Sequence, residues 1–353
     1  MRVVITGGAG FLGGRLARAI LERGSLTDAR GHARTVRELV LVDSVAPAPM
    51  SAAGPSQAVH CAPLGGSAAA KPQACGDDSS DPRVRTVVGN LADPATVDAA
   101  ITADTDSVFH LAAVVSGQAE AEFDIGMRVN VDAMRRVLER CRACAAPPKL
   151  VFASSLAVFG GALPDPVPDD APLMPQSSYG TQKAIGELLV SDMSRKGFLD
   201  GRSLRLPTVV VRPGKPNKAA SSFASGIIRE PLAGVAAICP VAPATRMWVS
   251  SPRAVIDNLI AGHEVAGERL AHARSVNVPG ISVAVGDMVE ALRSVAGDAV
   301  ADRVRWDFDP AIDRIVSTWP ARFTADAGRM LGMCADASFE GIVRAHIADS
   351  ATL

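Results

Sequence analysis

The segment SSYGTQK, residues 177–183, carries two side chains whose spacing suits acid–base chemistry. Tyr179 is the only tyrosine of the 353-residue chain, and Lys183 follows four positions later. Residues four apart on a helix lie on the same face. A phenol with an ordinary pKa of about 10 is a poor base at neutral pH, but a neighbouring cation favours its ionised form. The spacing predicts that Tyr179 is a general base kept ionised by Lys183; the alternative is a surface tyrosine with an unrelated lysine neighbour.

Two further hydroxyl groups follow an apolar run, KLVFA, at residues 149–153. Such a run is typical of a buried parallel strand, and ligands meet open α/β sheets at the carboxyl ends of their strands. Ser155 therefore lies where its hydroxyl can hold a substrate oxygen, and Ser154 offers a second hydroxyl beside it.

A glycine-rich turn, TGGAGFLGG at residues 6–14, follows the first apolar run and opens a helical pattern. Gly7 permits a tight turn, Gly10 lets the backbone approach a pyrophosphate, and Gly13 lets the helix pack on the strand. This context predicts a dinucleotide site. Asp43 ends the second strand, where a carboxylate accepts hydrogen bonds from ribose hydroxyls and repels a 2′-phosphate, so NAD is favoured over NADP. The alternative for Asp43 is a side chain that caps a turn.

Apolar runs and helical patterns alternate through the first 214 residues. The runs lack strict alternation, as strands covered on both faces do; they are RVVIT (2–6), ELVLV (38–42), VRTVV (84–88), SVFHL (107–111), KLVFAS (149–154) and LPTVVVR (206–212). The intervening helical segments are FLGGRLARAILERG, PATVDAAITA, RVNVDAMRRVLERCRAC and YGTQKAIGELLVSDMSRKG. The alternation predicts an α/β fold, a doubly wound parallel sheet of the Rossmann type over residues 1–214.

The remaining residues, 215–353, predict a smaller C-terminal substrate-binding lobe, with some segments returning to the first domain. FASGIIREPLAG indicates a helix ended by Pro231, and short strands such as SVNVPG mix with helices such as GDMVEALRSVAG and FEGIVRAHIADS. Residues 44–82 are rich in Ala, Ser, Pro and Gly without an apolar face, which predicts an irregular or mobile insertion.

Composition limits the classes of partner and compartment. The formal net charge of −1 gives no long-range field for nucleic acid or an anionic membrane, so we expect a small-molecule partner. The chain lacks a long uncharged apolar run, and its first residues do not resemble a signal peptide, so we expect a cytoplasmic protein. Six cysteines in a chain of this length do not make a disulfide framework. Cys141 and Cys144 have CxxC spacing without a second pair, and we expect no metal there.

The motifs in their order along residues 1–214 resemble the short-chain dehydrogenase/reductase superfamily, in its extended, epimerase/dehydratase-like branch. They are TGGAGFLG, Asp43, GNLADP, HLAA, Asn130 in RVNVDA, ASSLAVFG and YGTQK. The departures are Asn90, where the family more often has Asp, Phe159, where it has Tyr, and the 44–82 insertion. The family places its catalytic serine five residues before the glycine that ends SLAVFG, which ranks Ser155 above Ser154.

This resemblance implies a bound NAD and a set of residues around it. The implied catalytic residues are Tyr179, Lys183, Ser155 and Asn130, with Asn130 positioning a proton-relay water or bracing its helix. The implied cofactor-binding residues are Gly7, Gly10, Phe11, Leu12, Gly13, Asp43, Asn90, Leu91, Leu111, Ala112, Ala113, Ser154, Tyr179, Lys183 and Pro213. The resemblance also implies a homodimer, in which the helices bearing Asn130 and Tyr179 pack as a four-helix bundle.

Family membership does not fix the reaction. A 4,6-dehydratase needs an acid and a base after its catalytic hydroxyl, whereas Leu156 and Ala157 follow Ser155. The predicted substrate groups suit a compact anionic, hydroxylated molecule or the diphosphate of a nucleotide sugar, or else they solvate a loop; they are Lys215, Asn217, Lys218, Ser221 and Arg246, with Ser155 and Tyr179. Within the family, the chain resembles dehydrogenases that oxidise the 2-hydroxyl of a small sugar acid. The alternatives are a nucleotide-sugar epimerase with tightly bound NAD and a non-catalytic dinucleotide sensor, although a sensor commonly lacks the Tyr/Lys pair.

Overall fold

The computed structural model describes residues 1–47, 81–214, 220–270, 272 and 274–351. The strands in these ranges are β1 Arg2–Thr6, β2 Ser25–Thr27, β3 Ala33–Thr35, β4 Glu38–Asp43, β5 Val84–Val88, β6 Ser107–His110, β7 Lys149–Ser155, β8 Asp200–Leu206, β9 Thr208–Val209, β10 Ala237–Cys239, β11 Arg246–Ser250, β12 Ser275–Asn277, β13 Ile281–Ala284 and β14 Val304–Trp306. The helices are α1 Phe11–Arg23, α2 Pro94–Ala100, α3 Ser116–Ala121, α4 Phe123–Gly126, α5 Ala133–Arg142, α6 Ser178–Arg195, α7 Ser222–Leu232, α8 Pro252–Glu264, α9 Val285–Ala296, α10 Asp298–Ala301, α11 Pro310–Val316, α12 Asp326–Met330 and α13 Phe339–Ala351. A π-helical turn spans Met127–Asp132, and 3-10 turns span Leu156–Val158 and Gly267–Arg269.

Among the described residues, seven strands form one parallel sheet in the order β12-β8-β7-β6-β1-β4-β5. The chain adds strands on one side of β1 and then crosses to the other side at β6. This reversal is the topological switch point, and it opens a crevice beyond the carboxyl ends of β1 and β6. The predicted α/β fold with a doubly wound parallel sheet is confirmed.

Alternate residues of the central strands feed two separate apolar layers. Val3 and Ile5 of β1 pack in one layer with residues of α1 and α8. Val4 between them packs in the other layer, with residues of α2, α5 and α6. Because both faces are covered, these strands appear in the sequence as continuous apolar runs.

The prediction of a strand at LPTVVVR is wrong for most of its length. In chain order the sixth strand of the large sheet is β8, with the sequence DGRSLRL. Of the predicted run 206–212, only Leu206, which ends β8, and Thr208–Val209 lie in strands. Pro207 separates the two strands, and β9 pairs with β11 in a different, three-stranded sheet. A search for apolar runs misses β8, because two of its buried residues are the arginines Arg202 and Arg205.

Residues after 214 contribute both to the large parallel sheet and to a separate apolar cluster. The strand β12, within the predicted SVNVPG, pairs with β8 and completes the edge of the large sheet. Near the amino-terminal ends of β7 and β8, the carbonyl oxygen of His263 in α8 accepts hydrogen bonds from Lys149 Nζ (2.8 Å) and Arg202 Nη1 (3.0 Å). A third apolar cluster joins β11, α7, α9 and α13. The domain boundary at residue 214 stays a prediction.

Two smaller expectations also meet the structure. The helix α7 runs through Pro231 to Leu232, so the prediction that Pro231 ends it is wrong by one residue. Pro231 has no backbone N–H and so donates no hydrogen bond to the helix. Most of the predicted 44–82 insertion lies outside the described residues. Within the described ranges, no helix has both the length and the apolar character needed to cross a bilayer.

The buried ring of Phe109 offers a test of this core. Phe109 on β6 is fully buried and stacks on His263 at 5.0 Å between ring centroids. Phe109→Ala is expected to lower the free energy of unfolding by about 3–5 kcal/mol, because the apolar contacts are lost and a cavity remains. Urea denaturation measures this change. The matched variant Phe308→Ala removes a ring that is 57% exposed and is expected to change stability by less than about 0.5 kcal/mol; equal losses would contradict the assignment of the core.

Candidate active site

The glycine-rich turn lies at the switch point, between β1 and α1. Gly7 has a φ of +73°, and a Cβ there would lie 2.9 Å from the Ala112 nitrogen. A Cβ on Gly13 would lie 2.1 Å from the Gly7 carbonyl oxygen. The helix begins at Phe11 after Gly10, an N-cap that has no side chain to cover the first N–H groups. These donors and the helix dipole suit a pyrophosphate, so the turn fits a dinucleotide.

Asp43 ends β4 beside this turn. Its Oδ2 accepts a hydrogen bond from the Ala9 nitrogen (3.1 Å), and its Oδ1 accepts one from the Ser44 nitrogen (2.7 Å). Asp43 therefore caps two backbone donors. A carboxylate has about four acceptor positions, so the half-buried side chain retains capacity for ribose hydroxyls.

The other predicted cofactor residues differ in their exposure. Asn90 is exposed, and its Oδ1 accepts a hydrogen bond from the Ala92 nitrogen (2.9 Å). Leu91 is 7% exposed and packs in the core with α2 and α5, and its contact with an adenine stays a prediction. Leu111, Ala112 and Pro213 are half-buried, and Ala113 is exposed.

Close packing between α6 and the end of β7 brings Tyr179 to Ser155. A Cβ on Gly180 would lie 2.1 Å from the Ala157 carbonyl oxygen, in the turn that follows Ser155. Ser177 caps the helix by accepting a hydrogen bond from the Gly180 nitrogen (3.1 Å). As a result, the Ser155 hydroxyl lies close enough to the half-buried Tyr179 to lower the pKa of its phenol. The structure thus brings two of the predicted catalytic side chains together.

Lys183 lies one turn further along α6 and is buried. Its Nζ donates a hydrogen bond to the Ala153 carbonyl oxygen (2.8 Å) and lies 5.6 Å from the centroid of the Tyr179 ring. It also lies 4.7 Å from the centroid of the Phe152 ring. The predicted juxtaposition of ammonium and phenol is therefore present in the fold.

Burial shifts the pKa values of Tyr179 and Lys183 in opposite directions. It raises the pKa of Tyr179 to about 12, against the hydrogen bond from Ser155 and the nearby charge of Arg212, which lower it. It lowers the pKa of Lys183 to about 7, against the charge of Glu187, which raises it. Ser155 and Arg212 are the groups that lower the pKa of Tyr179 here, and the expected lowering by Lys183 stays a prediction. Burial thus disfavours the charged form of both groups.

Asn130 is buried in the π-helical turn and braces two elements. Its Oδ1 accepts a hydrogen bond from the Val114 nitrogen (2.8 Å), and its Nδ2 donates to the Val114 carbonyl oxygen (3.2 Å). The same Nδ2 donates to Gln182 Oε1 on α6 (2.8 Å). Asn130 therefore ties the segment after β6 to the helix that bears Tyr179.

Sequence reasoning missed Arg212 and Glu187. Arg212 follows β9 and acts electrostatically on Tyr179; its position as the last residue of a predicted strand was the available signal. Glu187 is four residues after Lys183 on α6, and this spacing in the sequence already indicates that the two side chains share a helix face. Ser154 donates to Glu187 Oε1 (2.5 Å) and is buried, so its predicted contact with a cofactor is left to its backbone.

The predicted substrate groups fall in two classes. Lys215, Asn217 and Lys218 lie outside the described residues. Ser221 is half-buried before α7. Arg246 is exposed on β11, and its guanidinium donates to the hydroxyl (3.2 Å) and the carbonyl oxygen (3.0 Å) of Ser282 on the neighbouring strand.

Comparison with known proteins agrees with this geometry. Residues 3–249 match the model of the NAD dependent epimerase/dehydratase family. Two curated relatives are D-erythronate dehydrogenases: that of Cupriavidus necator is 55% identical over 99% of both chains, and that of Haemophilus influenzae is 42% identical over 98% of this chain and 99% of its own. A nucleoside-diphosphate-sugar epimerase from Agrobacterium tumefaciens, known from its crystal structure, is 38% identical with a TM-score of 0.84, covering 99% of this chain and 94% of its own.

The packing of Gly13 gives a test of the nucleotide turn. Gly13→Ala is expected to weaken NAD binding, because its Cβ cannot fit 2.1 Å from the Gly7 carbonyl oxygen without displacing the turn. Such overpacking costs about 1–3 kcal/mol, or roughly 5- to 140-fold in dissociation constant. Isothermal titration calorimetry measures the change. Gly341→Ala on α13, where the nearest atom would lie 3.7 Å from the new Cβ, is the matched control; unchanged NAD affinity in Gly13→Ala would contradict the site.

Proposed function

The chain belongs to the NAD dependent epimerase/dehydratase family, and from this premise we propose that it oxidises the 2-hydroxyl of D-erythronate to give 2-dehydro-D-erythronate with NAD. The observation that carries the proposal is the full-length identity of 55% and 42% to two proteins named D-erythronate dehydrogenase. The cluster of Ser155, Tyr179 and Lys183 supports it, because oxidation of an alcohol needs a base at its oxygen.

In the proposed reaction, the substrate C2 oxygen lies between the hydroxyl of Ser155 and the phenol of Tyr179. Tyr179 in its ionised form takes the hydroxyl proton as the C2–H bond breaks and the C2 carbonyl forms. Bound NAD supplies the acceptor for the hydride that leaves C2. Ser155 holds the oxygen throughout, and Lys183 stabilises the phenolate with its charge. The glycine turn and Asp43 are the proposed holders of the cofactor.

The carboxylate of a 2-hydroxy acid is joined directly to the reacting carbon, so it must bind close to Tyr179. Our proposal places it in the region of Asn217 and Arg246, together with Lys215, Lys218 and Ser221. Arg212 is a further cation for this role, since its charge already acts on Tyr179. A guanidinium binds a carboxylate through charge-assisted hydrogen bonds.

The second candidate is a nucleotide-sugar epimerase, and the likeness to the Agrobacterium tumefaciens protein favours it. An epimerase retains its NAD and produces no net NADH. Absorbance near 340 nm distinguishes the two functions when the protein is mixed with NAD and D-erythronate, or separately with UDP-sugars. The same assay with NADP tests the expected preference for NAD. The catalytic cluster argues against a non-catalytic dinucleotide sensor.

Tyr179→Phe is expected to abolish NADH formation while leaving NAD binding nearly unchanged, because it removes the base and keeps the aromatic ring. Loss of a general base lowers the rate by roughly 100- to 10,000-fold. Initial rates at 340 nm with D-erythronate, and calorimetry with NAD, measure the two effects. Phe159→Leu, a change to a buried aromatic ring on the turn after Ser155, serves as the comparison for loss of packing alone. Full activity of Tyr179→Phe would refute the mechanism.

We also propose that the protein is a cytoplasmic homodimer that acts in the catabolism of sugar acids. The proposed interface contains the helices that bear Asn130 and Tyr179, packed as a four-helix bundle. Leu188 on α6 and Phe123 on α4 support it, because they are 64% and 57% exposed and apolar.

Sedimentation equilibrium at micromolar concentration is expected to give the mass of a dimer, about twice the 36.5 kDa of one chain. Leu188→Glu is expected to shift the protein toward the monomer, because a carboxylate would be buried at the interface. Met330→Glu, a substitution of an apolar side chain on α12 that is 73% exposed, is the control. A wild-type monomer under these conditions would disprove the interface.

A further inference from the structure

We infer that Glu187 and Arg205 are positioning residues for the reaction: they form a buried ion pair behind Lys183 that sets the balance between its charged and neutral forms. The inference rests on the proposed function for its kinetic consequence. Its electrostatic consequence belongs to the fold and can be measured without substrate.

The pair is held by several hydrogen bonds in a closed environment. Arg205 on β8 donates from Nε to both carboxylate oxygens of Glu187 (3.0 and 3.1 Å) and from Nη2 to Oε2 (2.8 Å). The side chains are only 6% and 2% exposed. Ser154 of β7 donates to Oε1 (2.5 Å), and Arg205 Nη1 donates to Asn277 Oδ1 of β12 (3.2 Å). Four elements therefore fix the position of the Glu187 carboxylate.

The carboxylate is placed to act on the catalytic pair. Tyr179, Lys183 and Glu187 are spaced four residues apart and share one face of α6. The Nζ of Lys183 is fixed by the Ala153 carbonyl oxygen, one residue before Ser154, which binds Glu187. Glu187 is thus the third titratable side chain on this face of α6, after Tyr179 and Lys183.

Few other charged or titratable groups act on Lys183. From β6, His110 is buried, its pKa is lowered to about 3, and it stays neutral. From β7, Phe152 offers only its ring and Ala153 its carbonyl oxygen. Arg212 acts on Tyr179 and lies beyond it. Among the described residues, Glu187 is the carboxylate whose charge raises the pKa of Lys183, against the effect of burial.

A gain in folding stability does not by itself explain the buried ion pair of Glu187 and Arg205. Removing two charges from water is costly, and apolar side chains of similar volume often replace a buried ion pair without loss of stability. The distinguishing effect is the field at Lys183. Glu187 favours the ammonium form, and Arg205 offsets part of that charge. Removal of the carboxylate and removal of the guanidinium must therefore move the titration of Lys183 in opposite directions.

The test uses the full chain labelled with ¹³C at lysine Cε, with the Lys183 signal assigned through Lys183→Met. In Glu187→Gln the NMR titration of Lys183 is expected to move to lower pH by about 1 unit or more, since an unpaired Arg205 is left nearby. In Arg205→Gln it is expected to move to higher pH, since an unpaired carboxylate is left. The control Glu264→Gln makes the same chemical change at the opposite end of the sheet and is expected to leave the Lys183 titration in place.

The kinetic arm follows the pH dependence of kcat/KM for D-erythronate. In Glu187→Gln the rising limb of the kcat/KM profile is expected to move to lower pH, because Tyr179 and Lys183 together lose a proton more readily. The plateau is expected to fall, because less of the protein then holds an ionised Tyr179 beside a charged Lys183. In Arg205→Gln the limb is expected to move to higher pH. A purely structural role would lower the rate in both variants without moving the limb.

Each outcome has one meaning. Titrations of Lys183 that stay unchanged, or that move in the same direction in both variants, overturn the inference. If no protein in the series forms NADH from D-erythronate, the proposed function fails, and the NMR titration still decides the inference. If a single variant does not fold, Glu187→Gln/Arg205→Gln removes both charges; the Lys183 titration is then expected below that of the wild type, and an unchanged titration overturns the inference.

Discussion

The site depends on the close approach of α6 to the end of β7. Two glycines on α6 make this approach possible: at Gly180 a Cβ would meet the Ala157 carbonyl oxygen, and at Gly186 one would meet the ring of Phe152 at 2.7 Å. With the helix lying this near the strand, the phenol of Tyr179 reaches the hydroxyl of Ser155, and Lys183 reaches the carbonyl oxygen of Ala153. A larger residue at Gly180 would separate the base from the hydroxyl it has to serve.

The same approach creates an electrostatic problem. Excluding water from Tyr179 and Lys183 disfavours the charged form of each, which is why their pKa values move to about 12 and about 7. The surrounding protein offsets this with a hydroxyl at one end of the pair, Ser155, and a carboxylate at the other, Glu187. Catalytic groups are often tuned by such opposing influences of burial and neighbouring charge.

The sequence predicted the parts of the fold that a one-dimensional pattern can carry. The glycine turn, five strands of the large sheet (β1, β4, β5, β6 and β7) and the helix bearing Tyr179 follow from apolar runs and residue spacing. The strand β8 does not, because Arg202 and Arg205 look like surface residues until Asp200 and Glu187 are seen to pair with them. The burial of Leu91 is likewise hidden in the sequence: its neighbour Asn90 is exposed, and only the packing against α2 and α5 shows that the next side chain turns into the core. The effect of Arg212 on Tyr179 likewise depends on a contact between distant segments.

The outermost strand of the large sheet, β12, comes from residues 275–277, far along the chain from its partner β8. Asn277 completes the hydrogen bonding of Arg205, and α8 supplies the carbonyl oxygen that receives Lys149 and Arg202. A ribosome must therefore have delivered most of the polypeptide before the nucleotide-binding half can close its own edge. Until then the edge of β8 presents unpaired backbone groups, and such an edge is open to pairing with another chain.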